Sequence, residues 1–316
     1  MLTWADIVAD LGFVLAIDHC ARGCGHCPAY GDRTPVQRAP LAELARTVAG
    51  VAAARRRLGL GDDPRVVHCW RISDPLDYVT RLPGGAVATC VDVAGLWRTH
   101  LGQGLYVVTN GSEGSPTARR ALAELVASPD LVSQVKLTIT HADRSWDSPR
   151  YIGDLAFDVA TLAPLWRLPS TRVEDRDGRR FRINVKTTAA RMAEVRALVV
   201  AVLVRAGLSR SGADTACDDH GRVRFKPIYD LGNATARPSP VAGALDVRAA
   251  DGHRYKPTVE TRRRAQFGIR PDRRLFLVDM FAFTEHDLDG PNQPTRWPAT
   301  IHDADLMADL DVHAHA

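Results

Sequence analysis

Short apolar runs alternate with amphipathic stretches from residue 12 to about residue 234. The first run, Phe13 to Asp18, predicts a strand. A helix follows at about 40–58, where Leu41, Leu44, Val48 and Val51 recur at helical spacing. Arg65 to Ile72 predicts a second strand, and Val93, Leu96, Trp97 and Leu101 mark one face of the next helix. The third strand, Leu105 to Thr109, runs into Asn110-Gly111. Ser115-Pro116 then offers a cap and a proline at the first helical position, ahead of Leu122, Leu125 and Val126. Gln134 to Thr140 is the fourth strand, and Ser148-Pro149 opens a helix that stops near Pro164. Phe181 to Lys186 is the fifth strand, Ala189 to Ala206 its helix, and Arg222 to Ile228 the sixth strand.

Six β-α units in series predict an α/β protein whose parallel sheet is joined by right-handed crossovers. Six units are too few for a closed eight-stranded barrel and suit a partial (β/α)6 TIM-like barrel. Residues 1–11 read as an N-terminal helical cap and 12–234 as the barrel. Residues 235–316 differ: they open on Arg237-Pro238-Ser239-Pro240, hold one strong strand at Leu275 to Phe283, and end in a polar tail. They read as a C-terminal accessory region that packs on or closes the barrel.

The composition is that of an ordinary globular chain, with 45% hydrophobic and 25% charged residues over 316 positions. That excludes wholly disordered and collagen-like chains. The longest apolar run, Ala197 to Val204, is broken at Arg205, so no membrane span is expected. The first residues lack the basic start and apolar stretch of a signal peptide, which predicts a cytoplasmic protein. The net charge is +4, with basic and acidic residues interleaved, so no nucleic-acid partner is expected. The runs Arg55-Arg56-Arg57 and Arg262-Arg263-Arg264 read as solvated helix ends.

The chemistry concentrates in Cys20-Ala21-Arg22-Gly23-Cys24-Gly25-His26-Cys27, directly after the first strand. A loop there lies at the C-terminal edge of the sheet, where α/β barrels place their active sites. Three thiolates can hold three irons of a [4Fe–4S] cluster and leave the fourth iron open to a small molecule. Structural zinc, with His19 or His26 as fourth ligand, is the alternative, but zinc ligands usually come as two separated pairs.

On this motif and the strand order around it, the chain resembles the radical S-adenosylmethionine (SAM) superfamily. The resemblance runs through residues 12–234. It implies that Cys20, Cys24 and Cys27 ligate one cluster, with His26 packed beside it. Ile72-Ser73-Asp74-Pro75 stands where the family usually has Gly-Gly-Glu-Pro, and Asp74 keeps the carboxylate that binds the amino group of SAM. Val108-Thr109-Asn110-Gly111 looks like the family's third-strand ending, and the segment Lys226 to Ala234 is similar to the one that passes the adenine. Asn110, Thr140 and Asn184 are candidates for the SAM carboxylate and ribose. The implied chemistry is reductive cleavage of SAM to a 5′-deoxyadenosyl radical that abstracts a substrate hydrogen, fed by a reductant such as flavodoxin or ferredoxin. The chain has no cysteine after Cys217 for auxiliary clusters, which favours rearrangement, epimerisation, elimination or decarboxylation over net oxidation.

Strand alternation places Lys136, Thr138 and Thr140, then Arg182, Asn184 and Lys186, then Arg224 and Lys226, on the inward face. Only four lysines occur in the chain, and three fall on these positions. Buried cations need anions, so Lys186 and Lys226 are candidates to grip a small anionic substrate. Arg182, Arg224 and Lys136 read instead as ion-paired or solvent-reaching residues. Cys69 near the end of the second strand is either a hydrogen donor to a substrate radical or a small buried hydrophobe. Cys90 and Cys217 read as inert. Two other readings stay open: a radical SAM maturase of a ribosomal peptide, and a metal-binding sensor or interaction module.

Overall fold

The computed structural model describes residues 4–20, 22, 24, 36–60, 67–70, 73–142, 146–172, 178–228, 265–271, 275–279 and 284–287. The chain is mixed α/β. Its elements in order are α1 (Trp4–Ala9), β1 (Leu11–Val14), β2 (Ile17–Asp18), β3 (Gln37–Arg38), α2 (Leu41–Arg57), β4 (Thr80–Arg81), β5 (Val87–Ala88) and α3 (Cys90–Leu101). Then come β6 (Leu105–Thr109), α4 (Pro116–Ala127), β7 (Val132–Thr140), α5 (Pro149–Leu162), β8 (Phe181–Thr187), α6 (Met192–Arg205), α7 (Arg210–Asp218) and β9 (Val223–Pro227). Three strands end the described chain: β10 (Ala265–Ile269), β11 (Leu275–Asp279) and β12 (Thr284–Asp287). No helix among the described residues is long and apolar enough to cross a membrane.

Local chemistry sets the helix starts. Ser115 Oγ accepts the Ala118 N–H and Ser148 Oγ accepts the Tyr151 N–H, each just before a proline at the first helical position. Thr89 and Asp92 close a capping box on α3, and that helix stops at Gly102 in the left-handed conformation. Helix α2 buries Leu44, Val48 and Val51 as its spacing predicts. Its terminal arginines depart from expectation: Arg56 and Arg57 are exposed, but Arg55 is buried. Arg55 lies three and four residues past Ala52 and Val51, which puts it on the packed face. The run at 262–264 lies outside the described residues.

Strands β6, β7, β8 and β9 form a parallel sheet in that order. One face carries Val135, Leu137, Ile139, Ile183, Val185 and Val223, all fully buried, against the helices. The opposite face carries laterally paired rows: Lys136 beside Arg182, Thr138 beside Asn184 beside Arg224, and Thr140 beside Lys186 beside Lys226. Partners in a parallel ladder share a face, so the alternation read from the sequence assigns these side chains correctly.

The first two predicted strands also run parallel. Val14 N donates to His68 O and His68 N to Gly12 O, both at 2.8 Å, and a bridge joins Phe13 to His68. Side chains tie segment 67–70 to the neighbourhood of β6: Trp70 Nε1 donates to Tyr106 O and Val67 N donates to Gln103 Oε1. The other side of β1 pairs in parallel with β10, which continues through β11 and β12 as an antiparallel ribbon. The single strand expected at Leu275 to Phe283 is thus one of three. The expected boundary at residues 234 and 235 lies outside the described residues.

Candidate functional site

Parallel strands deliver their C-terminal ends to one edge, and Cys24, Asp74, Asn110, Lys186 and Lys226 lie at or just beyond such ends. Two residues past β2, Cys20 follows His19, whose φ of 64° turns the chain out of the strand. Asp18 Oδ1 accepts the His19 N–H at 3.0 Å and so holds that turn. Asp18 also pairs with Arg270, just beyond β10, which ties the C-terminal ribbon to the start of the cysteine loop.

Cys20 and Cys24 are both partly buried. Cys20 Sγ accepts the Arg22 N–H at 3.5 Å. Cys24 Sγ accepts the Asn110 amide Nδ2–H at 2.6 Å, across 86 residues of sequence. Cys27 and His26 lie outside the described residues. Among the described residues, no group of three or more His, Cys, Asp and Glu side chains is arranged to hold a metal.

Between the two cysteines, Arg22 reaches into the protein and is 8% exposed. Its Nε lies 3.3 Å from Asp74 Oδ2, its Nη2 2.9 Å from Asp77 Oδ1, and its Nη1 3.0 Å from Glu113 Oε1. Nη1 also donates to Gly111 O at 2.9 Å. Burial alone would lower the Arg22 pKa, but Asp74, then Asp77 and Glu113, raise it above its ordinary value.

Asp74 is the hub of this knot. Its Oδ1 accepts the Leu76 N–H, and its Oδ2 accepts from Thr109 Oγ1 and from the Asn110 N–H, all at 2.9 to 3.0 Å. Burial pushes the carboxyl up to about 6, against the downward pull of Arg22 and the two backbone donors. Burial outweighs the pairing because the group is only 5% exposed. Both oxygens are thus engaged within the protein. The sequence singled out Asp74 but missed Arg22, Asp77 and Glu113. The one available signal was the spacing Asp74-Pro75-Leu76-Asp77, which repeats a carboxylate one turn later.

The turn carrying Asn110 is fixed from below. Asp158 on α5 accepts the Ser112 N–H and Ser112 Oγ–H, each at 2.7 Å. Burial raises the Asp158 carboxyl despite those two bonds. Gly111 sits at φ 100°, and a Cβ there would stand 2.5 Å from Asp158 Oδ2. Only glycine fits that close approach.

On the polar sheet face, Thr140 is buried and its Oγ1 accepts the Ala142 N–H, so it caps its own turn. Asn184 is buried, and its Oδ1 has no hydrogen-bond partner among the described residues. Lys186 and Lys226 are adjacent and partly exposed at the same edge as the cysteines. Lys136 and Arg182, deeper along the strands, are buried, and Arg224 is exposed. Cys69 is 1% exposed, and burial drives its thiol well above its ordinary pKa. It packs in the main hydrophobic core with Cys90, which suits the small-hydrophobe alternative. Cys217 is buried on α7.

No protein-family model matches the chain, and no curated protein matches it.

Proposed function

We propose that the chain is a radical SAM enzyme acting on a small anionic metabolite by rearrangement, epimerisation, elimination or decarboxylation. The observation that carries this reading is a cysteine loop of characteristic spacing at the C-terminal edge of parallel strands, with Asn110 donating to Cys24 Sγ. The fold proposed with it is a partial (β/α)6 barrel. Segment 67–70 pairs with β1 and is tied by side chains to β6, and β6 to β9 follow in sheet order. The barrel would span 12–234, after a helical cap at 1–11 and before an accessory region at 235–316.

The residues present fit the cofactors. Cys20 and Cys24 supply soft sulfur donors from one loop, and each sulfur already accepts an N–H, the arrangement that favours thiolate ligands. Asn184 Oδ1 is a buried acceptor without a partner among the described residues, which suits a bound donor such as a ribose hydroxyl or an amino group. Cys20, Cys24 and Cys27 would hold a [4Fe–4S] cluster; with SAM it supplies one-electron cleavage to a 5′-deoxyadenosyl radical, given a flavodoxin- or ferredoxin-type reductant.

The protein's own residues do the positioning. Asp74 orders the cysteine loop through Arg22 and the third-strand ending through Thr109 and Asn110. That supports a bracing role for Asp74 in place of the SAM amino contact expected from the family pattern. Lys186 and Lys226, neighbours in register on β8 and β9, would supply the cationic grip on a substrate carboxylate or phosphate.

The test is 5′-deoxyadenosine formation by anaerobically reconstituted, reduced protein given SAM. Iron and sulfide are assayed beforehand, and Cys24→Ala is the control. Formation by the wild type and not by the variant is the expected result. Bound zinc in place of iron, or iron-loaded protein that does not bind SAM in a titration, would overturn the reading.

A further inference from the structure

The C-terminal ribbon meets the start of the cysteine loop through one side chain. Phe276 on β11 stands opposite Gly268 of β10 in the ladder, and its ring lies so close that a Cβ on Gly268 would collide with it. The ring is fully buried and neighbours Phe13 of β1, with centroids 6.5 Å apart. Two residues past Gly268, the Arg270 guanidinium lies over the same ring, 4.6 Å from its centroid. A planar cation stacked on a fixed ring is held in orientation as well as in place.

Arg270 Nη1 donates to Asp18 Oδ2, and the two side chains are 9% and 2% exposed, so the pair is shielded from solvent. The oxygens of Asp18 divide their work: Oδ2 takes Arg270, and Oδ1 accepts the His19 N–H at 3.0 Å. His19 is a non-glycine residue at φ 64°, a backbone conformation that persists only where its surroundings hold it. Cys20 is the next residue. A chain of contacts therefore runs from Phe276 through Arg270 and Asp18 to the turn that sets Cys20.

We propose that Arg270 is a positioning residue for Cys20, acting through Asp18, and that the C-terminal ribbon is thereby a working part of the cysteine edge. A buried carboxylate that loses its cation reorients or draws in water. Either change loosens Oδ1 from the His19 N–H, and the left-handed turn relaxes toward commoner backbone regions. Cys24 is held separately, by Asn110, and keeps its place. This role does not rest on the radical SAM reading, because it concerns the turn and not what the thiols ligate.

The experiment is alkylation of the metal-free full chain with iodoacetamide at one fixed pH, with the rate at each cysteine read by peptide mass mapping. Cys69, Cys90 and Cys217 are buried in the core and report general opening. Arg270→Met is expected to speed Cys20 about tenfold, the loss of one charge-assisted pair, with the core cysteines unchanged. Removing a cation disfavours a thiolate and by itself slows alkylation, so a faster Cys20 reports a moved turn. Asp18→Asn, isosteric but with one acceptor oxygen in place of two, is expected to speed Cys20 likewise, and Arg270→Met added to it changes little. Arg270→Lys keeps the charge and is expected to return Cys20 to within about threefold of the wild-type rate. An unchanged Cys20 rate in Arg270→Met overturns the proposal, as does a lysine variant as fast as the methionine one. A rise shared by Cys69, Cys90 and Cys217 in a variant that still unfolds cooperatively marks Arg270 as a general prop and overturns it too. So do effects of Arg270→Met and Asp18→Asn that add independently. Should Arg270→Met not fold, the isosteric Asp18→Asn decides by the same comparison.

Discussion

Replacing Arg22 by methionine removes the charge from the knot and keeps an apolar stem of similar length. The partners are unequal. Glu113 is 58% exposed and Asp77 24%, so solvent screens much of their share. Asp74, 5% exposed, is left as a buried carboxylate without its cation. Breaking such a pair costs about 3–5 kcal/mol. The lower end applies, because Asp74 already stands at about 6 and can escape by taking a proton. The sign of the pH dependence follows. A carboxyl raised above its unfolded value of roughly 4 binds more protons folded than unfolded. Its stabilising contribution is present at low pH and is lost as pH rises through the folded value. Without Arg22 that folded value climbs further, so the penalty grows with pH. We expect Arg22→Met to cost about 3 kcal/mol near pH 7.5 and roughly half of that near pH 5.5. Adding Asp74→Asn removes the orphaned charge and restores about half of the loss at the higher pH. Urea denaturation midpoints of the full chain at both pH values are the assay. A penalty independent of pH, or a double variant weaker than the single one, would refute this reasoning.

Three other outcomes follow from the same edge. Gly111→Ala forces a side chain into left-handed backbone against Asp158 and is expected to destabilise by about 2–4 kcal/mol, read from the same urea midpoints. Asn110→Ala removes the donor to Cys24 Sγ, and the proposed cluster, once reconstituted in this variant, should titrate at a more negative potential by EPR than in the wild type. A potential equal to the wild type's would show that the Asn110 contact does not act on the sulfur. On the proposed function, Lys186→Met with Lys226→Met should raise the substrate KM at least about tenfold with little change in 5′-deoxyadenosine formation without substrate; an unchanged KM would exclude these lysines as the grip.

Period-two alternation and capping chemistry are local, so they were legible. The caps Ser115 and Ser148, and the shared face of Thr138 and Thr140, of Asn184 and Lys186 and of Arg224 and Lys226 within each strand, could be read from single segments; the rows they form across strands come from the register. Helix α7 was missed because its buried face is Ala213, Ala216 and Cys217, too small to stand out as an apolar stripe. The C-terminal ribbon reads as one strand because β10 is only five residues, its apolar positions interrupted by Gln266 and Gly268, and its parallel partner is the distant β1. Nothing within the segment Ala265–Ile269 announces a pairing of Leu11 with Phe267. The Arg22 knot was illegible for a related reason. An arginine in a glycine-rich loop reads as solvated, and only the fold brings Asp74, Asp77 and Glu113 around it.

Three buried carboxylates organise the loops of the cysteine edge, and each works by the same device. Asp18 accepts the His19 N–H and pairs with Arg270; Asp74 accepts the Leu76 and Asn110 N–H groups and pairs with Arg22; Asp158 accepts both donors of Ser112. Each sits at or beneath a loop whose backbone donors have no strand partner, and each replaces the missing ladder bond with a charge-assisted one. Apolar packing resists volume change but sets no direction for a loop, whereas a carboxylate accepting two or three N–H bonds fixes its orientation. The arrangement is costly in stability, since burial raises both Asp74 and Asp158. An edge that only had to cover the sheet would be cheaper in leucine and valine. Buried charge there fixes the loops, which is what the proposed function would require of Cys24 Sγ, Asn110 Nδ2 and Asn184 Oδ1.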